Sequence, residues 1–151
     1  MSAATTLFFD DLPVGRTFAS GARPVTDAMI RDFAAVSGDK HPLHLDDDYA
    51  QKSPFGERIA HGLLGLSVAS GLLDDLAFIR ESLVAFAGLE WKFRGPVRIG
   101  DTLRFHLAVV RARGAGPGQG LVVFESRLVN QKGETVQEGT WSLIVRKLPK
   151  P

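Results

Sequence analysis

The sequence predicts an α+β fold, an antiparallel β-sheet wrapped around a long central α-helix. Three observations carry that expectation. The segment Ile59 to Leu73 is apolar on every helical face, through Leu63, Leu64, Leu66, Val68, Leu72 and Leu73. Small residues, Gly65, Ser67, Ala69, Ser70 and Gly71, are interleaved with them. A helix that is apolar all round is expected to be buried all round, with neighbouring backbone packed close. The second observation is order: one extended segment comes first, helices follow, and four strands come last. Segregation of this kind favours an antiparallel sheet over alternating βαβ units. The third is period-two patterning in the second half, where Leu103, Phe105, Leu107 and Val109 alternate with Arg104, His106, Ala108 and Val110. That period marks a strand with one buried face.

The elements follow in chain order. Pro13 and Gly15 mark an early turn, and Thr17 to Val25 reads as one extended segment. Thr26 is a candidate N-cap with Asp27 in the first turn. Met29, Ile30, Phe33, Ala34 and Val36 form the stripe of the helix it opens, and Gly38 lies just past its end. A polar stretch from Gly38 to Asp46 follows, with one or two helical turns predicted over Asp46 to Lys52. After the apolar helix, Leu83 to Trp91 has strand content. Gly114, Gly116, Pro117, Gly118 and Gly120 make a hairpin loop, and Leu121 to Asn130 is the returning strand. Gln131, Lys132 and Gly133 turn the chain into a last strand, Thr135 to Arg146, with Trp141, Leu143 and Val145 on one face.

Composition bounds the function. The 151 residues are one domain's worth of chain, so residues 1–151 are expected to form a single domain. Cysteine is absent, which excludes disulfides, thiolate metal sites and cysteine nucleophiles. Eighteen basic residues against 17 acidic ones leave +1, a field too weak to favour nucleic acid or an anionic membrane as the main partner. Met1 to Thr6 has no basic stretch, and the apolar patch Leu7, Phe8, Phe9 stops at Asp10. The apolar run closes at Asp74, short of the roughly 20 residues that a membrane span requires. The cytoplasm is therefore the expected location.

The stretch Ser37-Gly38-Asp39-Lys40-His41-Pro42-Leu43-His44-Leu45-Asp46 holds the densest chemistry. Asp39 and His44 are five positions apart, a spacing that does not stack them on one helical face. On a loop stiffened by Pro42 they can converge on one water as a general acid–base pair. Two plainer readings stand beside this one. Asp39 can satisfy turn amides, and His44 can be a hydrogen-bonded, half-buried histidine. His41, His44, Asp46 and His61 also offer nitrogen and oxygen ligands to a metal, although the chain has no HExxH motif. Ala60-His61-Gly62 stands at the start of the apolar helix, where unpaired backbone amides favour negative charge and Gly62 admits a ligand. The alternative is a tight packing point. Ser67 and Ser70 lie inside that helix, where serines back-bond to a carbonyl one turn earlier, and no GxSxG elbow surrounds them.

Taken together, FAAVSGDKHPLHLDDDYAQKSPFGERIAHGLLGLSVASGLL resembles the MaoC-like, hotdog-fold (R)-specific enoyl-CoA hydratases. The likeness runs from about Phe9 to Arg146 and is densest from Phe33 to Leu73. Asp39 and His44 match the family's catalytic aspartate and histidine, with four residues between them. Ala60-His61-Gly62 matches its segment at the head of the hotdog helix, and Ser70 matches its serine further along. The run Phe93 to Asp101 is similar to the family's strand-turn before the last hairpin. One departure is His41, where the family usually has asparagine; histidine brings bulk and a second titratable group.

The resemblance implies a hydro-lyase acting on a trans-2-enoyl thioester. Asp39 and His44 would activate the water, the Gly62 amide would hold the thioester oxygen, and Ser70 would orient the pair. His61 and His41 are the remaining substrate-side candidates. Coenzyme A enters only as part of the substrate, with Lys92, Arg94 and Arg98 as candidates for its phosphates or as a solvated strand face. No separate cofactor and no metal is implied. A homodimer or dimer of dimers is expected, and an open strand edge is an independent reason to pair. A hotdog thioesterase and a non-catalytic acyl-thioester binding subunit are the competing functions.

Overall fold

The computed structural model describes residues 5–149. Residues 1–4, whose lack of basic character bears on targeting, lie outside the described residues. A 3-10 turn at Phe9–Asp11 precedes two short strands, β1 (Thr17–Ala19) and β2 (Arg23–Pro24). Helices α1 (Asp27–Ser37), α2 (Pro42–Leu45), α3 (Asp47–Gln51) and α4 (Gly62–Leu76) follow. Strands β3 (Leu83–Phe93), β4 (Thr102–Gly114), β5 (Gln119–Val129) and β6 (Thr135–Arg146) complete the order. Among the described residues no helix is long and apolar enough to cross a membrane.

The sheet is antiparallel, ordered β1-β4-β5-β6-β3, with β2 also pairing β4. The alternating residues do what their period demands. Leu103, Phe105, Leu107 and Val109 are buried, as are Trp141, Leu143 and Val145. They meet Leu64, Val68, Ala69, Leu72 and Leu73 of α4 in one apolar core. This is the hotdog fold, a sheet curved around one helix.

Two expectations need correction. The extended segment Thr17 to Val25 is two strands, broken at Ser20–Ala22. Ser20 turns its hydroxyl to accept the Phe105 N–H at 2.8 Å, which ends the regular pairing with β4. The apolar helix is not buried on every side. Gly62, Leu63, Ser67 and Ser70 form an exposed stripe at helical spacing, and Leu63 is 59% exposed. The sheet covers one side of α4 and stops at the edge strand β3. The stripe sits on a molecule with further exposed apolar side chains on β3, namely Leu83, Val84, Phe86, Leu89 and Phe93.

Candidate active site

The site is assembled at the N-terminus of α4 by a chain of local turns. Thr26 caps α1 by accepting the Met29 N–H, as its sequence position predicts. Gly38 ends α1 with a left-handed φ of 79°, a conformation that glycine adopts without steric cost. Ser37 Oγ then accepts the Asp39 N–H at 3.1 Å, and Asp39 Oδ1 accepts the His41 N–H at 3.2 Å. His41 Nδ1 accepts the Leu43 N–H at 3.1 Å and so caps α2, with Pro42 at its first position. His41 therefore does the capping work that an asparagine does in such a position. Each turn fixes the next, and α2 delivers His44 toward α4.

Three side chains meet there. Asp39, His44 and His61 each present an atom within 4.8 Å of the others. Asp39 is exposed, His44 is half-buried and His61 is buried. His44 Nδ1 lies 2.7 Å from the Ile59 carbonyl, and His61 Nε2 lies 2.9 Å from the Asp39 carbonyl. A carbonyl only accepts, so each of those nitrogens carries the hydrogen. In a neutral imidazole the other nitrogen, Nε2 of His44 and Nδ1 of His61, is then the acceptor. His61 Nδ1 is buried and has no hydrogen-bond partner within the described residues.

The two imidazoles stack, with ring centroids 3.9 Å apart and planes 27° from parallel. The three groups are close enough to share either a water or a metal ion. Burial pushes the His44 imidazole below its ordinary value of 6.5. The nearby His61 and His41 act in the same direction, against the Ile59 carbonyl and the Asp39 charge. His44 is accordingly neutral at pH 7, with a free lone pair.

Gly62 is the first residue of α4, with His61 as its N-cap. Its N–H has no acceptor within the helix. A cavity of about 390 Å³ is lined by Asp39, His44, His61, Gly62, Leu63 and Phe93. A second, of about 410 Å³, shares Gly62 and Phe93 and extends past Ile59, Pro96, Val97, Arg94 and Gln137.

Other predicted residues sit elsewhere. Ser70 lies two turns further along α4 and borders a separate cavity of about 230 Å³ with Leu73, Asp74 and Trp141. It makes no hydrogen bond to Asp39 or His44 within the described residues. Ser67 Oγ does back-bond to the Leu63 carbonyl, at 2.9 Å. Asp46 caps α3 by accepting the Tyr49 N–H and stands apart from the three clustered groups. The three cationic candidates divide. Arg94 borders the larger cavity but is paired with Glu138 at 3.0 Å. Arg98 is tied to Glu57 and the Phe55 carbonyl, and Lys92 faces a different cavity with Glu90 and Glu125.

One site residue escaped the sequence reading. Gln137 is 1% exposed, donates Nε2–H to the Gly62 carbonyl at 3.0 Å and accepts the Trp91 Nε1–H at 2.9 Å. The signal was available. Gln137 stands in the inward row of β6, with Gly139, Trp141, Leu143 and Val145, and is the one long polar residue there.

Sheet, helix and site together define a hotdog-fold protein with its polar groups gathered at the helix N-terminus. Residues 11–127 match the model of the MaoC-like domain. An (R)-specific enoyl-CoA hydratase of Rhodospirillum rubrum is 33% identical over 144 residues, covering 91% of each chain. Another of that name, from Aeromonas caviae, is 33% identical over 122 residues, covering 81% of this chain and 85% of that one. The crystal structure of the MaoC-like dehydratase from Rhodospirillum rubrum superposes with a TM-score of 0.87 at 32% identity, covering 95% and 99% of the two chains. The chain belongs to the MaoC-like family, and it is an enzyme of the hydro-lyase class.

Proposed function

We propose that this protein hydrates trans-2-enoyl-CoA to (R)-3-hydroxyacyl-CoA and catalyses the reverse dehydration. The single observation that carries the reading is the convergence of Asp39 and neutral His44 beside the N–H of Gly62, which has no acceptor within α4. A water between the carboxylate and His44 Nε2 loses a proton to this pair as its oxygen bonds to C3. Electron density moves through C2 onto the thioester oxygen. The Gly62 N–H hydrogen-bonds that oxygen as its charge grows, which is where electrostatic help counts most. The proton then passes from the pair to C2, so water is added across the double bond with nothing left over. Dehydration is the same path run backwards. His61 holds the Asp39 backbone and packs against His44, and so sets the gap that the water occupies.

The working unit in this reading is a homodimer. Among the described residues strand β3 pairs only with β6, which leaves its other edge open there. Leu83, Val84, Phe86, Leu89 and Phe93 are exposed along it, and Leu63 of α4 lies near Phe93 at the active-site cavity. A second copy on this edge would cover apolar surface, satisfy the strand edge and close the cavity from the open side.

The test is loss of the conjugated enoyl-thioester absorbance with crotonyl-CoA and octenoyl-CoA, with free thiol followed in the same cuvette. Absorbance loss without thiol, abolished in Asp39→Asn and in His44→Ala, is the expected result. Thiol release would move the protein to the thioesterases. Turnover by Asp39→Asn at the wild-type rate would remove the acid–base assignment.

A further inference from the structure

We infer that Gln137, anchored by Trp91 and admitted by Gly65, is a positioning residue that holds the Gly62 amide in the orientation the thioester oxygen requires. The inference rests on the reading of Gly62 as the oxyanion donor. The His61–Gly62 peptide that carries the donor is tied to the helix at its own carbonyl, since His61 O accepts the Leu64 N–H at 3.0 Å and the Gly65 N–H at 3.3 Å. The next carbonyl, Gly62 O, is gripped by Gln137 Nε2 at 3.0 Å from the interior strand β6, which pins the Gly62–Leu63 peptide and so limits the rotation at Gly62 that aims the donor N–H. The far end of the amide is locked in turn, because Oε1 accepts the Trp91 indole N–H at 2.9 Å. An amide held at both ends keeps one flip state and one rotamer.

The packing is arranged around this strut. A Cβ at position 65 would overlap the Gln137 side-chain amide, so Gly65 is the residue that lets β6 reach the first turn of α4. Phe93, in register with Gln137 across β3 and β6, closes the other side of Gly62. Its ring carbons lie 2.9 Å from where a Cβ on Gly62 would stand. Gln137 also lines the larger cavity. A buried glutamine in an otherwise apolar row is costly unless its polar atoms are used, and here both ends are used on the turn that carries the donor.

A donor felt mainly in the transition state should lower kcat when it is misaligned, with KM little changed. The variants are Gln137→Met, which keeps length without hydrogen bonding, and Trp91→Phe, which frees only the far end of the strut. Kinetics on crotonyl-CoA are paired with infrared spectroscopy of bound carbonyl-labelled butyryl-CoA, a saturated thioester that is not turned over. Gln137→Met is expected to lose about ten- to a hundredfold in kcat with KM within about threefold, less than deletion of the donor itself would cost. Trp91→Phe should lose roughly three- to tenfold. The carbonyl downshift seen on binding to wild type should shrink in the same order. A full downshift in Trp91→Phe, or in Gln137→Met whatever its kcat, overturns the inference and leaves Gln137 a packing residue. If Gln137→Met does not fold, Trp91→Phe decides alone. Wild-type protein that neither hydrates crotonyl-CoA nor binds butyryl-CoA overturns the underlying function, and the strut role with it.

Discussion

The two ends of α4 are held by opposite means. At the N-terminus the contacts are partly buried hydrogen bonds to backbone carbonyls: Gln137 to Gly62, His61 to the Asp39 carbonyl, His44 to the Ile59 carbonyl. At the C-terminus they are exposed ion pairs: Arg80 with Asp74 at 2.9 Å and Arg23 with Asp75 at 2.7 Å. Charges in water are loosely tied and tolerant of change. Buried neutral hydrogen bonds are directional and costly to leave unmade. The end where Asp39, His44 and His61 converge is built from the second kind.

The largest expected effect is at the reacting pair. Asp39→Asn and His44→Ala should each lower kcat by about 10²–10⁴-fold. Asp39 is exposed, so the melting temperature of Asp39→Asn should stay close to wild type in the same preparation. A protein that melts early would show that the pair is structural.

Next is the packing of the buried end. Gly65→Ala forces Gln137 away from the helix and should cost about 1–3 kcal/mol of stability in denaturant titration, as overpacked cores do. At the other end, Asp75→Ala should cost about 0.2–1 kcal/mol and lose even that at high salt. Equal costs at the two ends would erase the contrast.

The smallest effect, and the sharpest, is in pH. Burial lowers the pKa of His44 in the folded state, so its unfolded form takes up a proton first as pH falls. Stability therefore drops on acidification from about pH 6.5 down to the lowered folded value, and is regained as pH rises. Over that window His44→Gln should flatten the stability slope and abolish activity. His106, on the outer face of the sheet, is lowered by burial and then by Arg127 and Arg104. His106→Gln should flatten the slope in the same sense and leave kcat untouched. The acid limb of the wild-type kcat/KM profile should accordingly lie below pH 6.5. A limb above that value would show that the free lone pair on His44 is not what activity needs.

Much of this was legible in order along the chain. The alternation in β4 and β6, the Thr26 cap and the Gly38 stop are local, because a period or a cap is set by neighbours within a few residues. The nearness of Asp39 to His44 was legible for the same reason: both belong to one stretch of turns, each bonded to the next. The Asp39 carboxylate that caps its turn and the His44 ring that sits half-buried also met their plainer readings, since one oxygen and one nitrogen serve the fold while the others make no hydrogen bond among the described residues.

What only the tertiary structure decided lies between elements. His61 reaches the Asp39 carbonyl across 22 residues, and Gln137 reaches Gly62 across 75. The period of β6 marks Gln137 as inward but not which carbonyl it meets, and nothing local marks the carbonyl that His61 meets. The burial of α4 was overestimated from its composition because hydrophobicity measures what a face prefers, not whether this chain has anything left to cover it. The sequence by itself therefore determined which residues are inward along each strand and which polar groups cluster on the loop. The curvature of the sheet determined which of those groups meet at the head of the helix, because only a closed packing of β3, β6 and α4 brings residues that far apart into hydrogen-bond range.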